Sequence, residues 1–478
     1  MFNVALPAGI RLALRPGMSR WRLAVPLLCC TVVTGSLNAC SREAPPTTTP
    51  PADGARPAAS PVASSQRGCD PGNGGLTLPE GFCASVFADN LGHARHLVVA
   101  PNGDVYVNTM STKSSDFMAP EGGMIVGLRD SDHDGHAESI QRFGDHYVPG
   151  QPGGGTGIAV HNGALFVEAD ATIVRYALGG DVVPAAQAEV VLRGLPKQGD
   201  HGAHPFAIAP DGALYVNSGS ATNACQMRNR VAGSRGMKPC PELTTRAGIW
   251  QYDAGKTDQV FSATERFATG LRNTVAMAVM PGDDALFAAV NDRDQLSDNW
   301  PALYNAAQNN ELPAEQFVRV EKNRDYGWPY CYFDAQQRRH VLAPEFGGDG
   351  GKAVGDCQKL PPPAVAFPAH WAPMAIAFYA GQMFPPAYQR GAFVSFHGSW
   401  NRTPAQSGFV VAFVPFADGK PTGQYQEFAR GFAGSTLPAD PKTAAHRPMG
   451  VAVSADGALY VSDDLNGRVW KIIHTRGQ

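Results

Sequence analysis

One phrase recurs three times in this chain: APNGDVYV at residues 100–107, APDGALYV at 209–216 and SADGALYV at 454–461. Each copy is a tight turn followed by a short strand with alternating apolar residues. Looser copies begin at His161, Pro281 and Gln389. A strand pair repeated in this way is typical of a β-propeller, with one copy in each blade. The sequence therefore predicts an all-β fold, a six-bladed β-propeller with long inserted loops; seven or eight blades would require degenerate copies of the phrase.

The turn glycines also allow the start of each blade, beside the propeller axis, to be located by counting back along the chain. Counting back ten or eleven residues from four of them leads to His93, His201, Arg272 and Arg447. Each position precedes an apolar strand, and the innermost strand of a blade lies beside the axis. We expect these side chains to meet at one face; the alternative is that each is a solvated loop residue.

The composition sets limits on the class of protein. The chain has 478 residues, with 53 Gly, 39 Pro and only 17% charged residues, which suits many turns and strands. Its net charge of −3 gives no electrostatic basis for binding nucleic acid. The part from Cys69 onward exceeds six plain blades of about 40–45 residues. The surplus predicts inserted loops at 226–245, 294–313 and 334–363.

The N-terminal segment resembles a bacterial lipoprotein signal. An apolar run ends in LNAC at residues 37–40, so we expect residues 1–39 to be removed and Cys40 to carry the lipid. Residues 40–68 are rich in Pro, Ala, Ser and Thr and predict a disordered tether, followed by the folded domain at 69–478. The expected location is periplasmic, with only the lipid anchor touching a bacterial membrane, most simply the outer one. Plain secretion with cleavage elsewhere is the alternative.

Six cysteines remain after the signal and the lipidation site, and an even number in an exported chain suggests disulfides. Six cysteines allow fifteen pairings, and pairing of sequence neighbours is the simplest. The expected bonds are Cys69–Cys83, Cys225–Cys240 and Cys331–Cys357.

An acidic segment, RDSDHDGHAE, begins at Arg129. Alternate carboxylates followed by Gly135 are oxygen ligands of the kind that Ca²⁺ prefers. The expected ligands are Asp130, Asp132, Asp134 and Glu138. The pattern is only part of an EF-hand, because Gln141 stands at the twelfth position. An acidic surface turn is the alternative.

Two histidines, His201 and His204, stand in the segment DHGAHP. They could share a metal, or one could be a general base and the other structural, because an imidazole titrates near neutral pH. Arg95, Arg272 and Arg447 carry planar guanidinium groups suited to carboxylates. The sequence has no GxSxG, HExxH or dinucleotide-binding fingerprint after a strand, so a serine triad and nicotinamide chemistry have no support.

Several longer segments resemble the glucose/sorbosone dehydrogenase family, the soluble sugar dehydrogenases that depend on pyrroloquinoline quinone (PQQ). They are DHGAHPFAIAPDGALYV at 200–216, GLRNTVAMAV at 270–279, VNDRDQLSDN at 290–299, FVRVEKNRDYGWPYCY at 317–332 and SFHGSWNRTP at 395–404. The resemblance covers nearly all of the chain from Leu78 on and is greatest to the sorbosone-type branch. It implies a six-bladed propeller, in agreement with the repeats.

The resemblance also implies roles for particular residues. His201 is similar to the base that takes the hydroxyl proton. The expected cofactor-binding residues, with Arg95 added on its chemistry, are Arg95, Arg272, Asn273, His397 and Arg447. The segment near the family's active-site calcium supplies Asn291, Asp292 and Asp294. Glucose-type relatives carry a Gly-Pro in that segment, a lysine at the position of His397 and an acidic residue at that of Ser220.

The sequence thus predicts an oxidoreductase that oxidises a sugar or a related alcohol or aldehyde, with PQQ and Ca²⁺ as cofactors. Its small-molecule partner would be the sugar; the electron acceptor is not identified. A non-enzymatic carbohydrate-binding or assembly propeller is the first alternative. A metal-dependent lactonase is the second.

Overall fold

The computed structural model describes residues 68–111, 122–148 and 151–475. The first fourteen strands are β1 (Phe82–Ala88), β2 (Ala94–Val99), β3 (Val105–Ser111), β4 (Gly123–Arg129), β5 (Ser139–His146), β6 (Gly153–Gly154), β7 (Ile158–His161), β8 (Ala164–Ala169), β9 (Thr172–Ala177), β10 (Glu189–Arg193), β11 (Phe206–Ile208), β12 (Ala213–Ser218), β13 (Gly248–Asp253) and β14 (Gln259–Val260). The signal, the lipidation site Cys40 and all of the tether except Gly68 lie outside the described residues.

The remaining strands are β15 (Arg266–Thr269), β16 (Ala276–Val279), β17 (Leu286–Val290), β18 (Glu315–Arg319), β19 (Cys331–Asp334), β20 (Arg339–Leu342), β21 (Val365–Phe367), β22 (Pro373–Phe378), β23 (Gly391–His397), β24 (Phe409–Ala417), β25 (Lys420–Pro421), β26 (Gln426–Ala429), β27 (Pro448–Val453), β28 (Leu459–Asp463) and β29 (Val469–His474). Two short α-helices are α1 (Leu296–Asn299) and α2 (Ala306–Glu311). Short 3-10 turns are Pro71–Gly75, Pro241–Thr244, Ala263–Glu265, Pro344–Phe346, Gly355–Lys359, Pro386–Tyr388 and Pro441–Thr443. No helix of the described residues is long and apolar enough to cross a membrane.

The strands form six blades, as the sequence predicted. Blade 1 is β2–β5, blade 2 is β7–β10 with β14, and blade 3 is β11, β12, β13 and β15. Blade 4 is β16, β17, β18 and β21, and blade 5 is β22–β24 with β25 and β26. Blade 6 combines β27–β29 with β1, the first strand of the described residues, which pairs antiparallel with β29 and so closes the ring. The inner strands β2, β7, β11, β16, β22 and β27 contact one another in a circle.

Each pair of neighbouring blades encloses its own apolar core, giving six such cores in the described part of the chain. The two faces of a blade alternate along its strands because successive side chains point to opposite sides. In β23, Phe393 enters the core shared with blade 6, whereas Val394 and Phe396 enter the core shared with blade 4. Strands packed on both faces therefore read as almost continuous apolar runs.

The repeated phrase occupies the same place in five blades, between the first and second strands. Its glycines have positive φ angles from 74° to 93°, at Gly103, Gly163, Gly212, Gly282 and Gly457. The sixth copy differs: Gly391 is the first residue of β23, and a longer connection that contains a 3-10 turn precedes it. All three expected disulfides are present, at Cys69–Cys83, Cys225–Cys240 and Cys331–Cys357.

Phe393 tests the packing between blades. It is fully buried and contacts four aromatic neighbours edge-on or tilted and one in a stacked geometry. We expect Phe393→Ala to lower the free energy of unfolding by about 3–5 kcal/mol, because it leaves a cavity between two sheets. Val260→Ala, at a side chain that is 55% exposed, is the control and should change little. Denaturant unfolding measures both; equal small losses would contradict this packing.

Candidate active site

The residues that precede the inner strands lie on one face of the propeller, which we call the axial face. His201 precedes β11, Arg272 precedes β16 and Arg447 precedes β27. The first two strands of a blade are antiparallel, so the residues that follow the second strand return to the same face. The axial face therefore collects side chains from two points of each blade.

A closed circuit of hydrogen bonds connects all six blades on this face. The Ser220 N–H of blade 3 donates to the Arg272 carbonyl at 2.7 Å. The Arg272 guanidinium of blade 4 donates to the Asp292 carbonyl at 2.8 Å. The Glu315 carboxylate accepts the Asp292 N–H at 2.8 Å and the Ala372 N–H of blade 5 at 3.3 Å. Blades 3, 4 and 5 are thus joined.

The circuit continues through blades 5, 6, 1 and 2. The His397 N–H donates to the Ala372 carbonyl at 2.9 Å, and the His397 Nε2 lies 2.6 Å from the Asp464 Oδ1. Arg95 of blade 1 donates through Nη1 to the Asp464 Oδ2 at 2.5 Å. The Arg95 Nε donates to the Thr156 Oγ1, next to blade 2, at 3.2 Å.

Glu168 completes the circuit between blades 2 and 3. Its buried carboxylate accepts the Thr156 N–H at 2.8 Å and the His204 N–H at 2.6 Å. The chain then connects His204 to His201, whose Nδ1 is hydrogen-bonded to the Ser220 carbonyl, the starting point of the circuit. We call this circuit the axial ring, and its members are Arg95, Thr156, Glu168, His201, His204, Ser220, Arg272, Asp292, Glu315, Ala372, His397 and Asp464.

His201 has one ring nitrogen occupied and one free. Its Nδ1 lies 2.8 Å from the Ser220 carbonyl oxygen and 3.0 Å from the Ser220 Oγ. A carbonyl oxygen can only accept, so Nδ1 carries the hydrogen and Nε2 keeps its lone pair. Nε2 has no hydrogen-bond partner among the described residues. Burial, together with the positive charge of Arg272, lowers the pKa of His201 to about 3, so the imidazole is neutral at pH 7.

His204, three residues on, has a different environment. It is fully buried, and its Nδ1 lies 3.7 Å from the Glu168 carboxylate. The two histidines thus have separate surroundings, which favours one functional and one structural histidine over a shared metal.

Asn273 is held next to His201 by a close approach of the chain. A Cβ atom at Gly219 would lie 2.6 Å from both the His201 Cβ and the Asn273 Oδ1, so only glycine fits there. The Asn273 Oδ1 accepts from the Asn217 Nδ2 at 3.3 Å, while its own Nδ2 has no partner in the described part of the chain.

Arg272 is 2% exposed and uses all five of its N–H groups within the protein. It donates to the carbonyl and side-chain oxygens of Asn223, to the carbonyls of Asn291 and Asp292, and to the Asp294 carboxylate. These bonds fix the 291–294 loop and place a positive charge close to His201. The cofactor-binding role of Arg272 stays a prediction of the sequence.

The side chains of Asn291, Asp292 and Asp294, predicted to hold a cation, face other partners. Asn291 donates to the Pro373 carbonyl at 2.7 Å, and Asp292 accepts from Gln316 at 3.0 Å. Burial opposes ionisation of Asp294, but the neighbouring guanidinium holds its pKa well below the usual range. The described residues form two groups of three or more Asp, Glu, His or Cys ligand atoms within 4.8 Å, the acidic loop and a group of Cys225, Cys240 and Glu242, and neither includes these side chains. Their role in holding a cation stays a prediction of the sequence.

Asp464 is the centre of a second charged group on the axial face. Its carboxylate binds His397 and Arg95, and its carbonyl oxygen lies 2.7 Å from the His93 Nδ1. Burial opposes the charge, but His397 and Arg95 hold the pKa of Asp464 well below its ordinary value. Asp464 therefore orients Arg95 and His397 through its carboxylate and His93 through its backbone carbonyl.

Arg447 lies beside this group with one nitrogen available. Its Nε donates to the His397 carbonyl at 3.0 Å and its Nη2 to the Gly398 carbonyl at 2.9 Å. Its Nη1, like the Nη2 of Arg95, has no partner in the part of the chain that the structure describes. Burial lowers the pKa of Arg447, but a guanidinium stays charged at neutral pH. Two partly buried guanidinium groups thus retain donors for an anion.

Sequence reasoning missed Asp464, Glu168 and Asn223. The first two lie at or just beyond the end of a second strand, where the chain returns to the axial face. A polar residue ending the apolar strand of the repeated phrase was the signal that could have found them.

Trp400 lies at the rim of the axial face and is 46% exposed. The Arg230 guanidinium lies over its ring, 5.6 Å from the centroid. Arg230 also forms ion pairs with Asp200 at 3.0 Å and with Asp294 at 3.4 Å. This exposed ring is thereby linked to the segment that carries His201.

The acidic loop lies elsewhere. It connects β4 to β5 and shares a cavity of about 700 Å³ with the turns at Gly103 and Asp456, at the end of the blades opposite the axial face. A cation there would not touch His201.

The chain belongs to the TrAA12-like family, whose sequence pattern matches residues 76–475. It is 34% identical over 137 residues to the pyrroloquinoline quinone-dependent pyranose dehydrogenase of Coprinopsis cinerea, which is 24% of this chain and 17% of that protein. It is 29% identical over 213 residues to an uncharacterised protein of Borreliella burgdorferi, covering 44% of this chain and 49% of that one. The chain therefore spans half or less of the curated relatives it matches.

Solved structures share the fold at low sequence identity. The calcium structure of the family AA12 enzyme of Trichoderma reesei is 18% identical, with a TM-score of 0.64 over 84% of this chain and 97% of that one. The holo PQQ domain of the Coprinopsis cinerea pyranose dehydrogenase is 20% identical, with a TM-score of 0.61 over 83% and 97%. The apo aldose sugar dehydrogenase of Escherichia coli is 16% identical, with a TM-score of 0.53 over 83% and 100%.

His201 offers a test of the site's electrostatics by NMR. Because burial and Arg272 lower the pKa of His201 to about 3, its imidazole should stay neutral from pH 8 down to about pH 4. The urea-unfolded chain is the control, in which the same ring should titrate near pH 6.5. Folding then disfavours the protonated ring, so His201 should contribute a loss of stability as the pH falls from about 6.5 toward 3. A folded-state midpoint above pH 6 would contradict this description.

Proposed function

We propose that this protein is a PQQ-dependent dehydrogenase that oxidises a sugar or a related alcohol. The proposal rests on His201, whose Nδ1 is fixed by Ser220 and whose Nε2 is free to accept a proton. Membership of the TrAA12-like family and the names of the relatives support it. Assignment to the sorbosone-type branch remains a prediction of the sequence.

The axial face fits an anionic cofactor. PQQ carries carboxylates, and guanidinium groups bind carboxylates through charge-assisted hydrogen bonds. Arg447 and Arg95 each retain a nitrogen without a protein partner, and Asn273 retains its amide nitrogen. These residues would hold the cofactor, and His397 would do so indirectly, since its Nε2 is already bound to Asp464. When bound, the quinone would accept the hydride from the substrate carbon.

His201 supplies the proton-transfer step. Its neutral Nε2 takes the hydroxyl proton of the substrate as the carbon–oxygen bond becomes a carbonyl. The imidazolium that forms is disfavoured by burial and by Arg272. An anionic ligand beside His201 would raise its pKa again, since an opposite charge favours the protonated form. The base would thus be strengthened only when the anionic cofactor is in place.

Trp400 gives the site an apolar surface for a sugar ring. We expect Trp400→Ala to raise the KM for the sugar roughly tenfold, the effect of losing about 1.4 kcal/mol of stacking and burial. The PQQ affinity should change little. Leu437→Ala, at another exposed apolar side chain, is the control. Steady-state kinetics at saturating cofactor measure the effect, and an unchanged KM would remove Trp400 from the substrate site.

The alternative functions make different demands. A non-enzymatic sugar-binding propeller needs neither the free His201 nitrogen nor spare guanidinium donors. A metal-dependent lactonase needs several metal ligands on the axial face. Outside the acidic loop, the described residues bring three such ligand atoms together at Cys225, Cys240 and Glu242, and these two cysteines form a disulfide. Both alternatives are therefore less well supported than the dehydrogenase.

The location stays a proposal from the sequence. We expect export, lipidation at Cys40 and anchoring to a bacterial membrane through that lipid, which would place the catalytic domain in the periplasm. The physiological electron acceptor would then be another component of that compartment.

The decisive functional experiment is reconstitution of the protein with PQQ and Ca²⁺, followed by a screen of aldoses with an artificial dye acceptor. His201→Ala should bind PQQ normally and lose about 100-fold or more in turnover, the usual scale for a lost general base. Arg447→Ala should instead weaken PQQ binding roughly 10- to 100-fold, because a carboxylate loses a charged partner.

The exposed Arg193→Ala variant is the matched control and should behave as wild type, because its ion pair with Asp258 lies at the surface. Failure of wild type to bind PQQ would contradict the dehydrogenase proposal. Full turnover by His201→Ala would contradict only the assignment of the base.

A further inference from the structure

The acidic loop between β4 and β5 carries an observation that the dehydrogenase proposal does not use. One ligand oxygen from each of its four carboxylates lies within 4.8 Å of the others, in Asp130, Asp132, Asp134 and Glu138. We propose that this loop binds a calcium ion and that the ion clamps the closing blade of the propeller to blade 1.

Asp130 provides the observation that points to a cation. Its side chain is only 6% exposed, and its Oδ1 is buried without a hydrogen-bond partner. Its Oδ2 already binds the Lys471 Nζ and the Gly135 N–H, at 3.0 and 3.1 Å. A buried carboxylate oxygen without a partner is costly, and a cation within the carboxylate cluster would satisfy it.

The charges favour a divalent ion. Four carboxylates stand together, and the positive groups that face them are Lys471 and, when protonated, His136, which is also held by Asp70 and Asp134. Crowded carboxylates repel one another unless a cation lies between them. Ca²⁺ takes six to eight oxygens in flexible geometry, whereas Mg²⁺ demands a near-ideal octahedron, so an acidic loop of this kind suits Ca²⁺ better.

The loop is attached to the strand that closes the ring. The Ser85 Oγ of β1 donates to the Gly135 carbonyl at 2.8 Å, and the Ala137 N–H donates to the Phe87 carbonyl of β1 at 2.8 Å. His136 reaches Asp70 in the segment before β1 at 3.1 Å.

The strand paired with β1 is held as well. Lys471, which binds Asp130, belongs to β29, the partner of β1 in blade 6. The loop of blade 1 thus contacts both β1 and β29, the two strands whose pairing closes the propeller. An ion that orders this loop would stabilise the closure itself, on the opposite side of the molecule from His201.

The test uses the whole protein without PQQ, stripped with chelator and titrated with CaCl₂ by calorimetry. Wild type should bind calcium, and Asp132→Asn should weaken binding at least tenfold, because it removes one charge from an exposed loop position. Asp418→Asn, at another exposed turn, is the control and should bind as wild type. No calcium binding by wild type, or equal binding by Asp132→Asn, would overturn the site.

Hydrogen exchange followed by mass spectrometry tests the clamp. Calcium should slow amide exchange in β1 and β29 of wild type and leave Asp132→Asn unchanged. Protection confined to the loop, or spread evenly over all six blades, would overturn the role in closure. Neither experiment involves PQQ, so its outcome is independent of the dehydrogenase proposal.

Discussion

The pairing of β1 with β29 is the constraint on which the rest of the structure depends. It joins the two ends of the described domain in one sheet, so the six blades form a circle and no blade is left with an open face. Every blade can then bury both faces against neighbours, as the six separate apolar cores show. A closed circle also brings the starts of all six inner strands to one face, where residues far apart in sequence become neighbours.

The axial ring is the polar site that forms where the closed circle of blades brings these residues together. Each of its links joins groups on the same or neighbouring blades, and buried carboxylates such as Asp464 and Glu168 supply several of them. Although burial opposes their charge, neighbouring donors hold the pKa values of Asp464 and Glu168 below their usual range, so both keep their charge and orient their partners. Arg272 uses all of its N–H donors in hydrogen bonds within the protein. The groups left with free polar atoms, His201 and Arg447 among them, are those available for chemistry.

Local sequence patterns predicted the blades and the position of His201, Arg272 and Arg447 at one face. The turn-and-strand phrase is a local signal, so it located five of the six equivalent turns, while Gly391 differs because a longer connection precedes it. The count back from each turn reached His201 and Arg447, because the stretch from the axial face to the turn has nearly the same number of residues in these blades. Asp464 escaped because its partners, such as Arg95, lie hundreds of residues away on other blades. The closed circuit of hydrogen bonds forms only when the blades pack together, so no local sequence pattern predicts it.

The central claim is that the axial face is the binding site of an anionic quinone. A crystal structure of the protein saturated with PQQ tests it most directly. We predict density for the cofactor on the axial face, with a carboxylate within hydrogen-bonding distance of the Arg447 Nη1 and the quinone beside the His201 Nε2. PQQ bound at an outer surface of the blades, or an axial face without PQQ at saturating concentration, would contradict the claim.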